Sequence, residues 1–415
     1  MNTYADAKVE QEVVTGRAEG ALVWRVLRDW SEVDAIRDEW DALSRSCGGD
    51  VYTSCDAGRV WWSHYGRGEL WILEARSADG ALVGVLPMFV EKRGLWGQRA
   101  RIARMVGVDS TIVVTRPAVA AERRGEVVEG AARLLMREAR CDGVVFGALG
   151  GESGWVEAAR EGLDRGGEAV GEARVLEGGP HTVFRLPETF DAYLSGLDKR
   201  QRGNYRRDRS QLDRMGGLQV RVITEAGELE RVFQQFMTMH GEQWRAEGRA
   251  GHFGDWRGSH EFSAELVRTL SREGNAGLVS LEVGGEVIGM EWFLTWGERG
   301  FWRLPARRVG EPWDKLGLGR VGLVELIGAL IERGVREIEA GPGRYEYKLK
   351  HGGEEYAMRS VVGIARGSGG RRMRLLFWWS RVTHLLYYRA WRIRYAPKVG
   401  MGARPLWSGW ARARL

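Results

Sequence analysis

Residues 276–342 carry the pattern that most restricts the fold of this chain. The stretch "AGLVSLEVGGEVIGMEWFLTWGERGFWRLPARR" reads as three strands joined by Gly-Gly and Glu-Arg-Gly turns, which predicts an antiparallel meander. "GLGRVGLVELIGALIERG" then shows a broad apolar face at helical spacing, and "VREIEA" reads as a short strand. This series predicts an α/β fold in which a mixed, mostly antiparallel sheet is flanked by helices.

The same order of elements occurs earlier in the chain, which indicates a tandem repeat. The first half begins with the strand "ALVWRVL", a helix capped by Ser31, and a hairpin in "ELWILEARSADGALVGVLPMFVEKRG". It continues with strands at "RIARMVGV" and "STIVV", a helix over 118–140, the strand "GVVFGAL", a helix over 154–165 and a strand over 170–176. After "LEGGPH" the second half begins with the strand "TVFRL" and the basic helix "DAYLSGLDKRQRGNYRRDRSQLDRM".

These patterns divide the 415 residues into four parts. We expect a flexible N-terminus over 1–21, a first domain over 22–178, a second domain over 179–368 and a basic aromatic helical tail over 369–415.

The tail concentrates the positive charge. Residues 356–415 contain twelve Arg, one Lys and no acid, which leaves 49 basic and 56 acidic residues in the rest of the chain. Aromatic residues alternate with the arginines in "RRMRLLFWWSRVTHLLYYRAWRIRY". Two interpretations stay open: peripheral contact with an anionic membrane surface through 370–395, or docking of the tail onto the acidic body.

Other features argue against several kinds of function. The three cysteines have no Cys-x-x-Cys spacing, and no carboxylates and histidines have metal-ligand spacing, so we expect neither a disulfide framework nor a metal site. The acidic body makes a nucleic-acid partner unexpected. The polar N-terminus and the lack of a run of eighteen uncharged apolar residues predict a cytoplasmic location, with peripheral contact at the inner face of the membrane as an option.

Residues 22–366 resemble the GCN5-related N-acetyltransferase (GNAT) fold, present as two tandem domains. The resemblance rests on the meander, the helix start "DKLGLGR", the strand after that helix and the "YEYK" element. With "MHGEQWRAEG" early in the second half and "AGPGRYEYKLKHGG" late in it, the chain is more closely similar to a bacterial acetyltransferase-like family associated with cellulose and exopolysaccharide biosynthesis, related to the FemABX peptidyltransferases. This implies acyl-CoA as co-substrate of the second domain, and we expect the first domain to be non-catalytic.

The resemblance also implies where acyl-CoA binds. In a GNAT site the pyrophosphate lies on backbone N–H groups at a helix N-terminus, where unpaired donors and the helix dipole favour an anion. The corresponding helix start here consists of Lys315, Leu316, Gly317, Leu318, Gly319 and Arg320. Asp314 stands where the family-like pattern has Gln or Arg, so a helix start without a ligand is the alternative.

Acyl transfer to an amine also needs a polarised carbonyl and a proton for the leaving thiolate. The resemblance implies Tyr347 as the proton donor, with Tyr345 second. It implies Lys348 as a cation near the reacting carbonyl or a phosphate, with Lys350 and His351 as weaker candidates. For Lys348 the alternative is a packed stem with a solvated ammonium group.

Two residues are candidates for the general base. Glu291 lies among apolar residues in the strand "VIGMEWFLTW", which would raise the pKa of its carboxyl group. His240 in "MTMHGEQW" carries an imidazole that titrates near neutral pH. Either residue could instead be a satisfied polar group in the fold.

We therefore predict an N-acyltransferase that moves an acyl group from acyl-CoA to an amine of a small-molecule or glycan-precursor acceptor, such as an amino sugar or an exopolysaccharide precursor. Two alternatives stay open. One is a FemABX-like aminoacyl transferase, and the other is a catalytically silent scaffold of polysaccharide biosynthesis at the membrane surface.

Overall fold

The computed structural model describes residues 22–95, 98–107, 115–150, 153–402 and 404–407. In these parts of the chain the strands are β1 (Val23–Leu27), β2 (Glu69–Arg76), β3 (Leu82–Leu95), β4 (Gln98–Met105), β5 (Ala118–Val119), β6 (Gly143–Gly150), β7 (Glu172–Arg185), β8 (Leu218–Ile223), β9 (Ala276–Val283), β10 (Glu286–Trp296), β11 (Arg299–Arg307), β12 (Glu337–Pro342) and β13 (Gly353–Ile364). They form one mixed sheet in the order β1-β2-β3-β4-β6-β13-β7-β12-β11-β10-β9-β8, with β5 paired to β3. The predicted α/β fold with a mostly antiparallel sheet is confirmed.

Helices cover both faces of this sheet. They are α1 (Trp30–Val33), α2 (Arg37–Ser46), α3 (Cys55–Tyr65), α4 (Arg124–Arg137), α5 (Trp155–Arg165), α6 (Phe190–Gly196), α7 (Lys199–Arg214), α8 (Ala226–Ala246), α9 (His252–Asp255), α10 (Ser259–Ser271), α11 (Leu318–Glu332), α12 (Glu346–Lys350) and α13 (Ser368–Thr383). In the second half, α11 lies against the strands on one face and is covered by α6 and α7, so it is buried nearly all round.

The two halves exchange their last strands. β7, the last strand of the first half, pairs with β12 of the second half, and β13, the last strand of the second half, pairs with β6 of the first. β7 and β13 also pair with each other along their length at the centre of the sheet. A second link is an apolar core shared by α1–α3 of the first half and α8 and α10 of the second, with Trp40, Trp61, Phe233 and Phe262 among its buried residues. The halves therefore fold as one body.

The strand prediction at this junction was wrong in one respect. The sequence predicted two strands separated by "LEGGPH", whereas Glu172–Arg185 is a single strand. Its pairing with β13 shifts register between Ala357 and Arg359, opposite Gly178. A Cβ on Gly178 would lie 2.8 Å from the carbonyl oxygen of Met358, so glycine here permits a close strand approach and does not break the strand. The expected boundary between 178 and 179 falls inside this strand.

Three predicted helix positions also differ from the structure. The first helix begins after Asp29, whose carboxylate accepts a hydrogen bond from the Ser31 N–H at 2.8 Å, so Ser31 is not the cap. The basic helix is two helices, because Asp198 caps a new helix by accepting from the Gln201 N–H at 2.9 Å. The helix predicted over 118–140 begins at Arg124, because β5 pairs with β3. The predicted strand "STIVV" lies outside the described residues, as do residues 1–21.

The tail begins as a helix that packs on the sheet. α13 buries Met373 and Leu376 in a cluster with Ile102, Val145 and Val362, and wider π-helical turns continue it over His384–Tyr395. In the described part of the chain, no helix combines the length and the apolar character needed to cross a bilayer.

Candidate active site

A cleft opens in the second half where two parallel strands separate. β11 and β12 pair over Arg299–Phe301 and Glu337–Glu339, and beyond these residues both strands line a cleft of about 1330 Å³. Residues of α7, α8, α9, β10, α11, α12 and the tail also line it. Small-molecule pockets commonly have volumes of roughly 300–1,000 Å³, so this cleft is large enough for two substrates.

The segment after β12 delivers side chains to this opening. Gly341 and Gly343 have φ angles of 84° and 101°, which other residues rarely adopt, and they turn the chain into α12. A Cβ on Gly343 would lie 2.7 Å from the ring of Tyr345. The turn therefore requires glycine, and it places Tyr347 and Lys348 on the cleft wall.

Lys348 is a buried cation in this wall. Its side chain is 5% exposed, and its Nζ donates a hydrogen bond to the carbonyl oxygen of Ala340. Nζ also lies over two aromatic rings, 4.8 Å from the centroid of Tyr345 and 5.4 Å from that of Trp302. Burial lowers the pKa of Lys348 to about 8.

Glu291 is a buried carboxylic acid beneath the same cleft. It is 3% exposed and accepts a hydrogen bond from Nε1 of Trp302 at 2.7 Å. Burial raises the pKa of Glu291 to about 8, against smaller opposing effects of the Trp302 N–H and the Arg307 charge. A Cβ on Gly322 of α11 would collide with Oε1 of Glu291, so the glycine makes room for this carboxyl group.

The tyrosines lie at the mouth of the cleft. Tyr345 and Tyr347 are 49% and 43% exposed, and their ring centroids are 5.8 Å apart. Tyr347 also meets Trp302 edge-on, with the centroids 6.3 Å apart. Partial burial and the nearby carboxyl group of Glu291 raise the pKa of Tyr347. Tyr347 thus keeps its proton at neutral pH, as a proton donor must.

The N-terminus of α11 forms another part of the wall. Gly317 is its N-cap with a φ angle of 62°, and Leu318, Gly319 and Arg320 follow in the lining of the cleft. Arg307 approaches from the end of β11, where its Nη1 would lie 3.2 Å from a Cβ on Gly319. The free N–H groups of a first helical turn, Arg307 and Arg320 together make this region suitable for an anion.

One internal anion already lies at this helix start. Asp208 of α7 is 2% exposed, pairs with Arg320, and would collide with a Cβ on Gly317. Its other oxygen accepts from Nη2 of Arg207 at 3.0 Å. A carboxylate of the protein therefore partly neutralises the region in which a pyrophosphate would bind.

The structure places Lys315, Leu316 and His240 away from the cleft lining. Lys315 pairs with Glu311 at 2.7 Å and is largely exposed, and Leu316 packs in an apolar cluster beneath α11. His240 is fully buried, its Nδ1 lies 2.7 Å from the carbonyl oxygen of Pro305, and burial lowers its pKa to about 4. Asp314 does line the cleft, and its carboxylate accepts a hydrogen bond from the Gly310 N–H at 3.0 Å, which stabilises the loop before α11.

Both weaker candidates line the cleft, but only His351 is buried. Lys350 is exposed and pairs with Glu346 at 2.9 Å. His351 is 3% exposed in the cleft wall, and its Nδ1 lies 2.6 Å from the carbonyl oxygen of Tyr347.

Sequence reasoning missed Trp302, Arg307 and Asp208. Trp302 could have been inferred from the hairpin. It pairs with Phe293, which lies two residues after Glu291 on β10, so all three side chains share one sheet face. Arg307 is the last residue of β11, the second strand of this hairpin, so its place at the mouth of the cleft could also have been inferred. Asp208 gave no such signal, because its position depends on how α7 packs on α11.

With this geometry in place, residues 199–349 match the family model described as acetyltransferase (GNAT) domain. The second half therefore has a GNAT acyltransferase fold. No curated protein matches the chain. In the described parts of the chain, no group of three His, Cys, Asp or Glu side chains could hold a metal ion.

Solved structures resemble the whole arrangement and not only the second half. The crystal structure of FemX matches with a TM-score of 0.60 at 10% identity, covering 82% of this chain and 98% of FemX. The structure of L-PGS from Bacillus licheniformis matches with a TM-score of 0.50 at 13% identity, covering 85% and 97%. A conserved protein of unknown function from Bacteroides thetaiotaomicron VPI-5482 matches with a TM-score of 0.50 at 11% identity, covering 80% and 97%. These matches support the tandem fold.

Proposed function

We propose that this protein is an N-acyltransferase that moves an acyl group from acyl-CoA to an amine in the cleft between β11 and β12. The observation that carries the proposal is the meeting of three groups in one cleft wall: the buried acid Glu291, the buried cation Lys348 and the phenol of Tyr347. The acceptor we propose is a small amine or a glycan precursor, including an amino sugar or an exopolysaccharide precursor.

Each group has a defined task in this reaction. Glu291 takes a proton from the attacking amine, which is effective once its own carboxyl group has ionised near pH 8. The amine nitrogen bonds to the acyl carbon as the bond from carbon to sulfur breaks. Lys348 and a backbone N–H of β11 stabilise the negative charge that develops on the carbonyl oxygen. Tyr347 gives its proton to the leaving thiolate.

The N-terminus of α11 is the proposed site for the CoA pyrophosphate. Arg307, Arg320 and the N–H groups of Leu318 and Gly319 fit an anion there. Asp208 opposes it, so in this proposal the pyrophosphate replaces the Asp208 carboxylate as the partner of Arg320.

Asp208 also favours a second candidate. If this carboxylate keeps its place beside Gly317, the helix start is already neutralised and the donor is not bound through a pyrophosphate. The fold similarity to FemX over most of both chains then supports aminoacyl transfer of the FemABX kind, with the same groups acting on the amine.

Isothermal titration with CoA and acetyl-CoA separates the two candidates. We expect the parent to bind both, and Gly319→Asp to abolish binding, because an added carboxylate in the first helical turn repels a pyrophosphate. An acid is tolerated at that position of a helix, so the variant should fold. Gly203→Asp is the matched control, because a side chain at Gly203 of α7 meets no atom within 4 Å. A parent that binds neither ligand would overturn the acyl-CoA proposal.

A further inference from the structure

The tail helix has two unlike faces. One face of α13 packs on the sheet through Met373 and Leu376. The opposite face carries exposed side chains at spacings of one, three or four residues, both basic and apolar: Arg371, Arg374, Leu375, Trp378, Arg381, Leu385 and Arg389. This second face runs from α13 into the π-helical turns that follow it.

Part of the tail charge is used for docking on the body. Arg372 forms two hydrogen bonds with Asp142 at 2.9 and 2.5 Å, Arg374 lies 3.4 Å from Glu172, and Arg392 pairs with Asp255. Among the described residues no ion pair engages Arg371, Arg381, Arg389 or Arg394. These charges point outward, in a part of the chain that contains no acid.

The exposed apolar side chains of the molecule are concentrated on the same segment. Of fifteen large apolar residues that are exposed in the described part of the chain, nine lie between 375 and 407. Trp378, Leu386 and Ile393 are 59%, 66% and 60% exposed. Scattered surface residues need no explanation, but a concentration of this kind marks an interaction surface.

This segment also borders the cleft. Tyr388, Arg392, Ile393 and Pro397 line it, and Ile393 is at the same time one of the most exposed apolar residues. The end of the described chain holds the segment in place, because the Leu406 N–H donates to the carbonyl oxygen of Asp255 at 2.9 Å. The surface and the rim of the cleft are therefore one continuous structure.

We propose that the exposed face of residues 371–399 docks on an anionic lipid bilayer and holds the rim of the cleft at the lipid surface. Clustered arginines supply the attraction to anionic headgroups, and Trp378, Leu385, Leu386 and Ile393 enter the interface between headgroups and acyl chains. A nucleic acid or an acidic polysaccharide would use the arginines and the exposed tryptophans, but it would gain nothing from exposed aliphatic side chains. The exposed leucines favour lipid over such a polyanion.

Sedimentation with vesicles tests this surface. We expect the full-length protein to bind vesicles of phosphatidylglycerol and phosphatidylcholine, and to bind pure phosphatidylcholine vesicles much more weakly. The triple variant Arg371→Glu, Arg381→Glu, Arg389→Glu should lose affinity on the order of a hundredfold, since each basic residue near the surface contributes about 1 kcal/mol. The same charge change at the exposed Arg206, Arg231 and Arg268 is the control and should retain most of the binding.

A second pair of variants separates lipid from other partners. Trp378→Ser with Leu386→Ser should weaken vesicle binding at least about tenfold, because the inserted apolar area is lost. Val222→Ser, which removes an exposed apolar side chain elsewhere, should leave it unchanged. Equal binding to neutral and anionic vesicles, or an apolar variant that binds like the parent, would overturn the proposal. So would a dimer in sedimentation velocity that the apolar variant dissociates while neither protein binds vesicles.

Discussion

The two halves of the molecule share a sheet frame and differ where that frame opens. In the second half, β11 and β12 separate beyond their short parallel pairing, and the cleft lies between them. In the first half, β4 and β6 pair in the same parallel manner over Ile102–Arg104 and Gly143–Val145. There the N–H of Thr115 donates to the carbonyl oxygen of Ala148 at 2.8 Å, so the chain after β4 bridges back to β6. The region beyond the parallel strand pair is therefore bridged in the first half and open in the second.

The two halves also differ on the sheet face that is covered by α4 in the first half and by α11 in the second. Leu86, Met88 and Val90 of β3 lie in one apolar cluster with residues of α4. On β10, the counterpart of β3, Glu291 lies against Gly322 of α11. The helix-covered face of this strand is thus apolar in the first half and carries a buried acid in the second, and burying that acid costs stability.

The largest change is expected for Glu291→Gln. Glutamine still accepts the Trp302 hydrogen bond but cannot take a proton, so acyl transfer should fall by about 10²–10⁴-fold. The rate of the parent should peak near pH 8, because catalysis needs Glu291 ionised and Lys348 protonated, and the rise on the acid side of this peak should be absent from the variant. The measurement is release of CoA thiol from acetyl-CoA with a panel of amines on both sides of pH 8.

The same substitution, Glu291→Gln, should lower activity but raise the free energy of unfolding. The pKa of Glu291 is raised from 4.5 to about 8, so the folded state keeps a proton that the unfolded state has released, and stability falls as pH rises through that window. Glu291→Gln should therefore be more stable by roughly 3 kcal/mol at neutral pH in urea unfolding. Glu286→Gln, exposed on the same strand, is the control. A more stable variant with full activity would assign Glu291 to the fold and not to the reaction.

The next largest effect is expected for Lys348→Met, which removes the buried cation and keeps most of its volume. Transfer should fall by about 10²–10³-fold, because developing negative charge loses its partner. The pKa of Lys348 is lowered from 10.5 to about 8, so this group makes stability rise with pH between those values, and Lys348→Met should lose that rise. The measurements are thiol release at pH 8 or below, where Lys348 is still protonated in part or in full, and urea unfolding between pH 8 and 10.5. Lys350→Met, which removes an exposed lysine of the same helix, should change neither property, and equal losses in both variants would refute the role of Lys348.

Much of the second half could be predicted because its signals are local. Alternating residues and Gly-Gly turns indicated the meander, and the resemblance led to Tyr347 and Lys348, which do line the cleft. The exchange of β7 and β13 could not be predicted, because pairing between distant strands leaves no trace in local periodicity. The same limit applies to His240, since helical spacing does not tell which neighbour a face of α8 will meet. Which of these residues take part in catalysis stays a prediction.

A smaller effect is expected for Asp208→Asn, which removes the negative charge beside the first turn of α11. If the CoA pyrophosphate binds there, affinity for CoA should increase about tenfold, because Arg320 is released and no carboxylate opposes the phosphates. Asp213→Asn on the same helix is the control. Titration calorimetry gives the answer, and unchanged affinity would place the pyrophosphate away from this helix start.

The smallest effect is expected in the first half. Arg124 is the first residue of α4, and Arg320 lies in the first turn of α11. Unlike Arg320, Arg124 donates from Nη1 to the carbonyl oxygen of Ser153 at 2.6 Å, and its guanidinium lies 5.0 Å from the ring centroid of Trp155. Arg124→Gln should therefore cost about 1 kcal/mol of stability and leave CoA affinity and transfer within about twofold of the parent. Arg320→Gln should instead weaken CoA binding about fivefold, the equivalent of about 1 kcal/mol. If Arg124→Gln weakened CoA binding as much as Arg320→Gln, the first half would take part in binding the donor, and the contrast between an open and a bridged half would fail as a guide to function.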